Sequence, residues 1–188
     1  SLPGGGAEIL SDSVRNVISP NKVSADGWIK VMETAHGMGM KTTATMMFGH
    51  IEHNEDIVEH LFRIRDLQNK TGGFTAFIPW TFQPKNTELY DIIKESVSAT
   101  RYLQVLAISR VVLHSVRNIQ ASWLTQDFEV DKLALFFGAN DFGGTILEEN
   151  VVTAAGKEYK PAKVEDIIKA VKSVGRPVAQ RNTGYEVL

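Results

Sequence analysis

Two spacings of apolar residues take turns along this chain. At helical spacing, Trp28, Val31, Met32 and Ala35 share a face behind Ser24, a fitting N-cap, and Gly39 stops the run. "KTTATMMF" (41–48) is then continuous and β-branched at its start, the pattern of a buried strand. Asn54 can cap the next helix, which points Ile57, Val58, Leu61 and Ile64 inward before "TGG" closes it. "FTAFIPW" predicts a second strand ended by Pro79. "TELYDIIKES" and "TRYLQVLAISRVVLHS" read as two helices or one bent helix. "NIQASWL" predicts a third strand and "KLALFFGAN" a fourth, although "VDKLALFF" also fits a helix in part. Val164, Ile167, Ile168 and Val171 predict a terminal helix over "AKVEDIIKAVKSVG".

Strands alternating with helices argue for a parallel sheet. An open doubly wound sheet and a closed eight-stranded barrel both fit. The four strand-end loops "GHIEHNE", "WTFQPKN", "SWLTQD" and "GANDFGG" are polar and aromatic, whereas the opposite ends, such as "GMGMK" and "KTGGF", are plain caps. That asymmetry favours barrel logic, in which chemistry sits where strands end. A barrel typically needs about 250 residues, so four strands in 188 residues amount to about half of one.

Composition narrows the function. A net charge of -2, from 20 basic and 22 acidic residues without a basic stripe, argues against nucleic acid. The apolar runs are short and broken by charge, so no membrane span is expected. A hydrophobic content of 43% excludes a disordered chain. There is no cysteine, so no thiolate can hold zinc or an iron–sulfur cluster, and a cytoplasmic protein is expected. "SLPGGGAEIL" opens without Met, on the kind of loop that follows a strand, so the chain is expected to be a piece of a longer one.

Several motifs carry a functional and a plainer reading side by side. "GGGAEIL" offers close backbone approach to a ligand with Glu8 as acceptor, or only a turn. No Lys-Ser/Thr follows it, so it is no Walker loop. In "FGHIE", Gly49 would let a flat ligand pass, and Glu52 could bond that ligand or cap the next helix. His50 and His53 lack a third metal ligand, so no metal site is assigned. Trp80 and Phe82 are core, or a stacking surface for an aromatic substrate. Gln120 and Ser122 share one side of a strand, with the residues at 119, 121 and 123 facing helices. Asn140, Asp141, Glu148 and Glu149 form the densest polar group, and Asp141 is either a turn-maker or a site acid.

"TATMMFGHIE" resembles the GxIxGxxE strand motif of radical S-adenosylmethionine (SAM) enzymes: Met47, Gly49 and Glu52 match it, and Thr45 stands where its first glycine would be. With "PGGGAEIL", "TGGFTAFIPWTFQP", "NIQASW", "GANDFGGTILEENVV" and "AQRNTGYEVL", the chain is similar over nearly its whole length to the radical SAM enzymes of the futalosine menaquinone pathway. The wording "TATMMFGH" and "FIPWTFQP" favours the cyclase of that pathway. Aminofutalosine synthase and the deazaflavin-forming FO synthase subunit share the layout. "LHSVRN" departs from the expected Leu-Asp-Asn, and His114 receives no role.

The resemblance implies an α/β fold, the C-terminal half (about strands five to eight) of a (β/α)8 barrel. A CxxxCxxC loop in the missing half would hold a [4Fe–4S] cluster, and SAM would take its open iron. The resulting 5′-deoxyadenosyl radical would take hydrogen from the substrate ribose, and the sugar radical would close onto the aromatic ring. Glu8, Arg15, Thr45, Met47, Gly49 and Glu52 are expected near SAM, with the Arg15 guanidinium on its carboxylate. Trp80, Gln120, Ser122, Asn140 and Arg181 are expected near a small-molecule substrate, and Asp141 is expected to take the ring proton or position the ribose. The chain alone would be inactive. It would also self-associate, because its cut sheet edges and inner face, around Met47, Phe77 and Ile119 or their neighbours, would be bare. Against this stand a small non-catalytic α/β binding module and a non-radical barrel enzyme, such as an aldolase or hydrolase.

Overall fold

The computed structural model describes residues 1–146, 149–157 and 160–188. Three parallel strands form its sheet: β1 (Thr42–Phe48), β2 (Phe74–Thr81) and β3 (Asn118–Ile119), in that order. Isolated parallel bridges extend it on both sides, Leu2 to Thr42 and Gln120 to Asp141. Helices α1 (Asp12–Ile18), α2 (Ala25–Gly37), α3 (Asn54–Thr71), α4 (Ala99–Val112), α5 (Phe128–Ala134), α6 (Val151–Ala154) and α7 (Val164–Ser173) connect or flank these strands.

Register sorts the side chains onto two faces. Ala44, Met46 and Phe48 of β1 pair with Phe77, Pro79 and Thr81 of β2, and all are buried. Ala44, Met46, Phe48 and Phe77 pack under the helices with Trp28, Met32, Ile57, Leu61, Ile64, Tyr102 and Leu106. On the other face Thr45 pairs with Ile78 and Met47 with Trp80, all half-buried. Phe77 and Ile119, expected to be partly bare, are instead fully buried on the helix side; Ile78 and Trp80 take the open positions. A smaller core joins Trp123 and Phe142 to Ala162, Ala170 and Val171.

The helix starts follow local chemistry. Ser24 Oγ accepts from Gly27 N at 3.1 Å and Ser98 Oγ from Arg101 N at 3.2 Å, each satisfying a free first-turn amide. At α3 the cap is His53, one residue before the expected Asn54; its N–H donates to Asp56 at 2.8 Å. Val31 and Val58 fall on the exposed side of their helices.

Two expected elements differ. "TELYDIIKES" forms turns rather than a helix, and nearly all of it is exposed or half-exposed. Without a buried face, a short helix is not stabilised in water. "KLALFFGAN" is mostly the end of α5 and a following turn; Asp127 caps that helix, accepting from Val130 N at 2.8 Å. The fourth strand shrinks to one bridge, where Ala121 N donates to Asp141 O at 2.8 Å.

Candidate functional site

Three groups of polar residues lie along the sheet: one beside β1, one at the turn that leaves β1, and one beside β3. The first is the Gly-rich loop before α1. Gly4 lies so close to β1 that a Cβ there would sit 2.5 Å from the Thr43 carbonyl oxygen. Thr43 Oγ1 accepts from Gly4 N at 2.9 Å, and Thr45 Oγ1 donates to Gly4 O at 2.7 Å. Arg15 is buried, and its guanidinium donates to the carbonyls of Gly6, Ala7, Ile9 and Val23. Burial lowers its pKa, partly offset by Glu8 and Asp12. The fork therefore braces the loop, its donors taken up by backbone oxygens. Glu8 has a left-handed backbone (φ 43°), pairs with Lys22, and its carbonyl accepts from Met47 N at 2.8 Å.

The second group is the turn leaving β1. Glu52 accepts from Gly49 N at 2.7 Å and His50 N at 2.8 Å, and its Oε2 lies 2.9 Å from His50 Nδ1. Burial raises the Glu52 pKa, but the hydrogen bonds from His50 and from the Gly49 and His50 amides outweigh it, holding the carboxyl below its usual range. Gly49 needs its positive φ of 90°, and its missing side chain is replaced by Val97: a Cβ would lie 1.9 Å from Val97 Cγ2.

The third group lies where β3 meets Asp141. Arg181 pairs with the Asp141 carboxylate, and its Nη2 is 3.2 Å from both Asp141 Oδ1 and Gln120 Oε1. Gly143 N also donates to Asp141 Oδ1 at 2.7 Å. Tyr185 donates its hydroxyl to Gln120 Oε1 at 3.0 Å, and the Arg181 guanidinium stacks 3.8 Å from the centre of its ring. Burial pushes the Tyr185 hydroxyl up to about 12, against the lowering effect of Arg181. Burial opposes the Arg181 charge most strongly, but the hydrogen bond to Asp141 and the charges of Asp141 and Tyr185 together outweigh it and raise the pKa.

Thus Gln120, Asp141 and Arg181 come together from positions 61 residues apart at most in sequence, Gln120 to Arg181. Ser122 leaves them: its hydroxyl meets Thr125 Oγ1 at 3.0 Å, and its N–H donates to Tyr102 at 2.9 Å. Asn140 stitches β3, accepting from Ile119 N at 2.8 Å and Arg110 at 2.9 Å. Trp80 stands half-buried beside Met47. Glu149 accepts from Val152 N at 2.6 Å, while Glu148 lies outside the described residues. Among the described residues no group of three metal-ligating side chains forms. None of their helices is long and apolar enough to cross a membrane. Tyr185 was not singled out from the sequence; its signal is the turn-former pair Asn182 and Gly184, which folds the tail back through Gly184 N to Asn182 Oδ1 at 2.8 Å.

Three parallel strands with helices packed on one face define an α/β domain. Residues 71–188 match the profile of the CofH/MqnC C-terminal region, and the chain belongs to that family. It is 47% identical to cyclic dehypoxanthine futalosine synthase of Streptomyces coelicolor, over the whole chain and 46% of that protein. It is 45% identical to the protein of the same name from Halalkalibacterium halodurans, over the whole chain and 50% of that relative. The 5-amino-6-(D-ribitylamino)uracil–L-tyrosine 4-hydroxyphenyl transferase of Methanococcus maripaludis is 44% identical, over the whole chain and 54% of its length. The chain spans about half the length of the curated relatives it matches.

Proposed function

We propose that this chain forms about strands five to eight of a (β/α)8 radical SAM barrel, part of an enzyme that cyclises dehypoxanthine futalosine in menaquinone biosynthesis. The observation that carries this reading is 47% identity along the whole chain to a protein named for that reaction. A [4Fe–4S] cluster needs thiolates, and the chain has none, so these residues do not fit the cluster. They do fit the nucleoside part of SAM. Met47 and Trp80 stand side by side, half-open, beyond the Gly4–Thr45 contact, and a purine can lie against them. When bound, SAM supplies the one-electron chemistry that removes a hydrogen atom from the substrate.

The chain's own residues act around that step. Arg15 and Thr45 hold the Gly-rich loop, and Glu52 holds the turn at Gly49 beside the purine. Gln120 and Trp80 face the substrate. Asp141, paired with Arg181, orients the ribose or accepts the proton released as the ring regains aromaticity. The product would be two hydrogens lighter than the substrate: one would leave as an atom to the deoxyadenosyl group that SAM supplies, the other as a proton, its electron replacing the one that a reductant outside this chain spends on cleaving SAM.

The full-length enzyme, reconstituted anaerobically, should convert dehypoxanthine futalosine to that lighter product by mass spectrometry. Turnover of 5-amino-6-(D-ribitylamino)uracil with L-tyrosine instead would move the chain to the transferase reading, which the 44% identity to the M. maripaludis protein favours. The isolated chain should show neither reaction and no cluster absorbance.

A further inference from the structure

The geometry points to Gln120 as a double hydrogen-bond donor to an uncharged oxygen of the substrate, with Arg181 and Tyr185 of the C-terminal tail as the positioning residues that aim it. This rests on the open face of the sheet being the substrate side.

The orientation of the Gln120 amide decides which way it donates. A carboxamide has an acceptor end and a donor end, and which end points where follows from its partners. Arg181 has no acceptor atom, so the end of Gln120 facing its Nη2 at 3.2 Å must be oxygen. Tyr185 delivers a second donor to the same oxygen at 3.0 Å. With both its lone pairs engaged, Oε1 is anchored and the amide plane is set. The Nε2 end then points the other way, and no described residue accepts from it. Nε2 packs toward Gly143, where a Cβ would come within 3.3 Å of it and crowd the amide out of its orientation. Position 143 also needs a φ of 83°, so two demands favour glycine.

The tail that provides these anchors is itself held. Arg181 bridges antiparallel to Val187, and Asn182 N donates to Glu186 O at 2.9 Å. Asn182 Oδ1 collects the Gly184 and Glu186 amides at 2.8 and 3.1 Å. Tyr185 sits in the left-handed region at φ 65°, which a tyrosine adopts only where its surroundings enforce it. A preorganised donor costs no reorganisation when an acceptor arrives.

Charge sets the class of acceptor. Arg181 is already neutralised by Asp141, and its Nη2 bridges Asp141 and Gln120. An incoming carboxylate would meet the Asp141 charge without a free cation to offset it. A carbonyl, hydroxyl or ring oxygen would not, so the two N–H groups suit a neutral oxygen of the substrate.

The substitution that separates donation from folding is Gln120→Glu. A glutamate can still accept from Arg181 and Tyr185, so the anchor survives while both outward donors are lost. In the full-length enzyme, with whichever substrate the wild type turns over, Gln120→Glu should raise KM roughly tenfold or more with a smaller change in kcat. Tyr185→Phe should raise KM a few-fold, leaving Gln120 aimed by Arg181 alone. Using both substrate sets separates this inference from the choice of reaction: a transferase that needs Gln120 would refute the proposed cyclisation and keep the donor. A readout independent of turnover is the Gln120 side-chain amide in 15N NMR of the full-length protein. It should be rigid in the wild type, looser in Tyr185→Phe, and shifted by the substrate. An amide already mobile in the wild type, or unmoved by saturating substrate, or an unchanged KM in Gln120→Glu, overturns the inference.

Discussion

At the scale of a residue, the clearest departure from ordinary behaviour is His60. It is fully buried on α3, its Nδ1 accepts from Leu10 N at 3.0 Å, and its Nε2 finds no hydrogen-bond acceptor. The ring of Phe77 lies 6.0 Å away. Burial, with the charges of Arg15 and Arg63, lowers its pKa from the usual 6.5 to about 3. The unfolded chain therefore binds a proton between these values that the folded chain refuses. Stability is complete above the unfolded value and falls as the pH drops below it, by about 1.4 kcal/mol per unit at most. The wild type should thus lose stability to urea between neutral and mildly acid pH, above the range where carboxylates titrate. His60→Asn keeps an acceptor for Leu10 N but cannot charge, so its own curve should be flatter there. Parallel curves for the two proteins would rule His60 out as the source.

At the scale of an element, the turn after β1 and the loop before α4 are two parts of one contact. Gly49 leaves a gap at φ 90° that Val97 fills. Gly49→Ala should cost about 2–4 kcal/mol, from backbone strain and from displacing Val97. Val97→Ala alone should cost less. The double variant should recover the steric share but not the strain, giving a coupling of about 1 kcal/mol in a double-mutant cycle of denaturant melts. Strict additivity would show that the two elements do not meet there.

This pairing marks the limit of what the sequence made legible. Gly49 and Glu52 could be picked out as a strand-end motif, and Glu52 does take the adjacent amides. That Val97, 48 positions on from Gly49, closes the gap depends on how a long loop returns, and no local period encodes it. The helices α2, α3, α4 and α7 were legible because each has a buried face at helical spacing. "TELYDIIKES" has the composition of a helix but no core to face, and tertiary context decided against it. "KLALFFGAN" misled for the opposite reason: a run apolar enough for a strand belongs mostly to α5 and its exit turn, with Phe136 and Phe137 exposed. In the site, Gln120, Asp141 and Arg181 were named and do meet. Tyr185 was missed because a tyrosine near a turn carries no pattern until the tail is seen folded back.

At the scale of the whole molecule, the two faces of the sheet are unequally covered. Helices seal one face completely, as Ala44, Met46, Phe48, Phe77 and Ile119 show. At the starts of β2 and β3 the tail comes near Thr75 and Asn118, where Tyr185 to Val187 border a cleft of about 520 Å³. On the other face Met47, Ile78 and Trp80 remain half-exposed. The outer edge of β1 is partly blocked, since Leu2 and Glu8 supply backbone partners to Thr43 and Met47. The exposed surface is less apolar than two fully open edges would leave, but the strip from Met47 to Trp80 is still wider than a single stray hydrophobe. In a closed barrel the opposite strands and bound ligands would cover such a strip. The isolated chain is therefore expected to associate through it, either as a twofold pair or as larger aggregates. Light scattering should show a mass that grows with concentration, and Trp80 emission should shift to shorter wavelength as association excludes water. Ile78→Lys, which places a charge in the strip without touching the helix-side core, should move the chain toward monomer. A wild-type chain that stays monomeric across a wide concentration range, with unchanged emission, would mean that the tail and the Gly-rich loop already complete the fold.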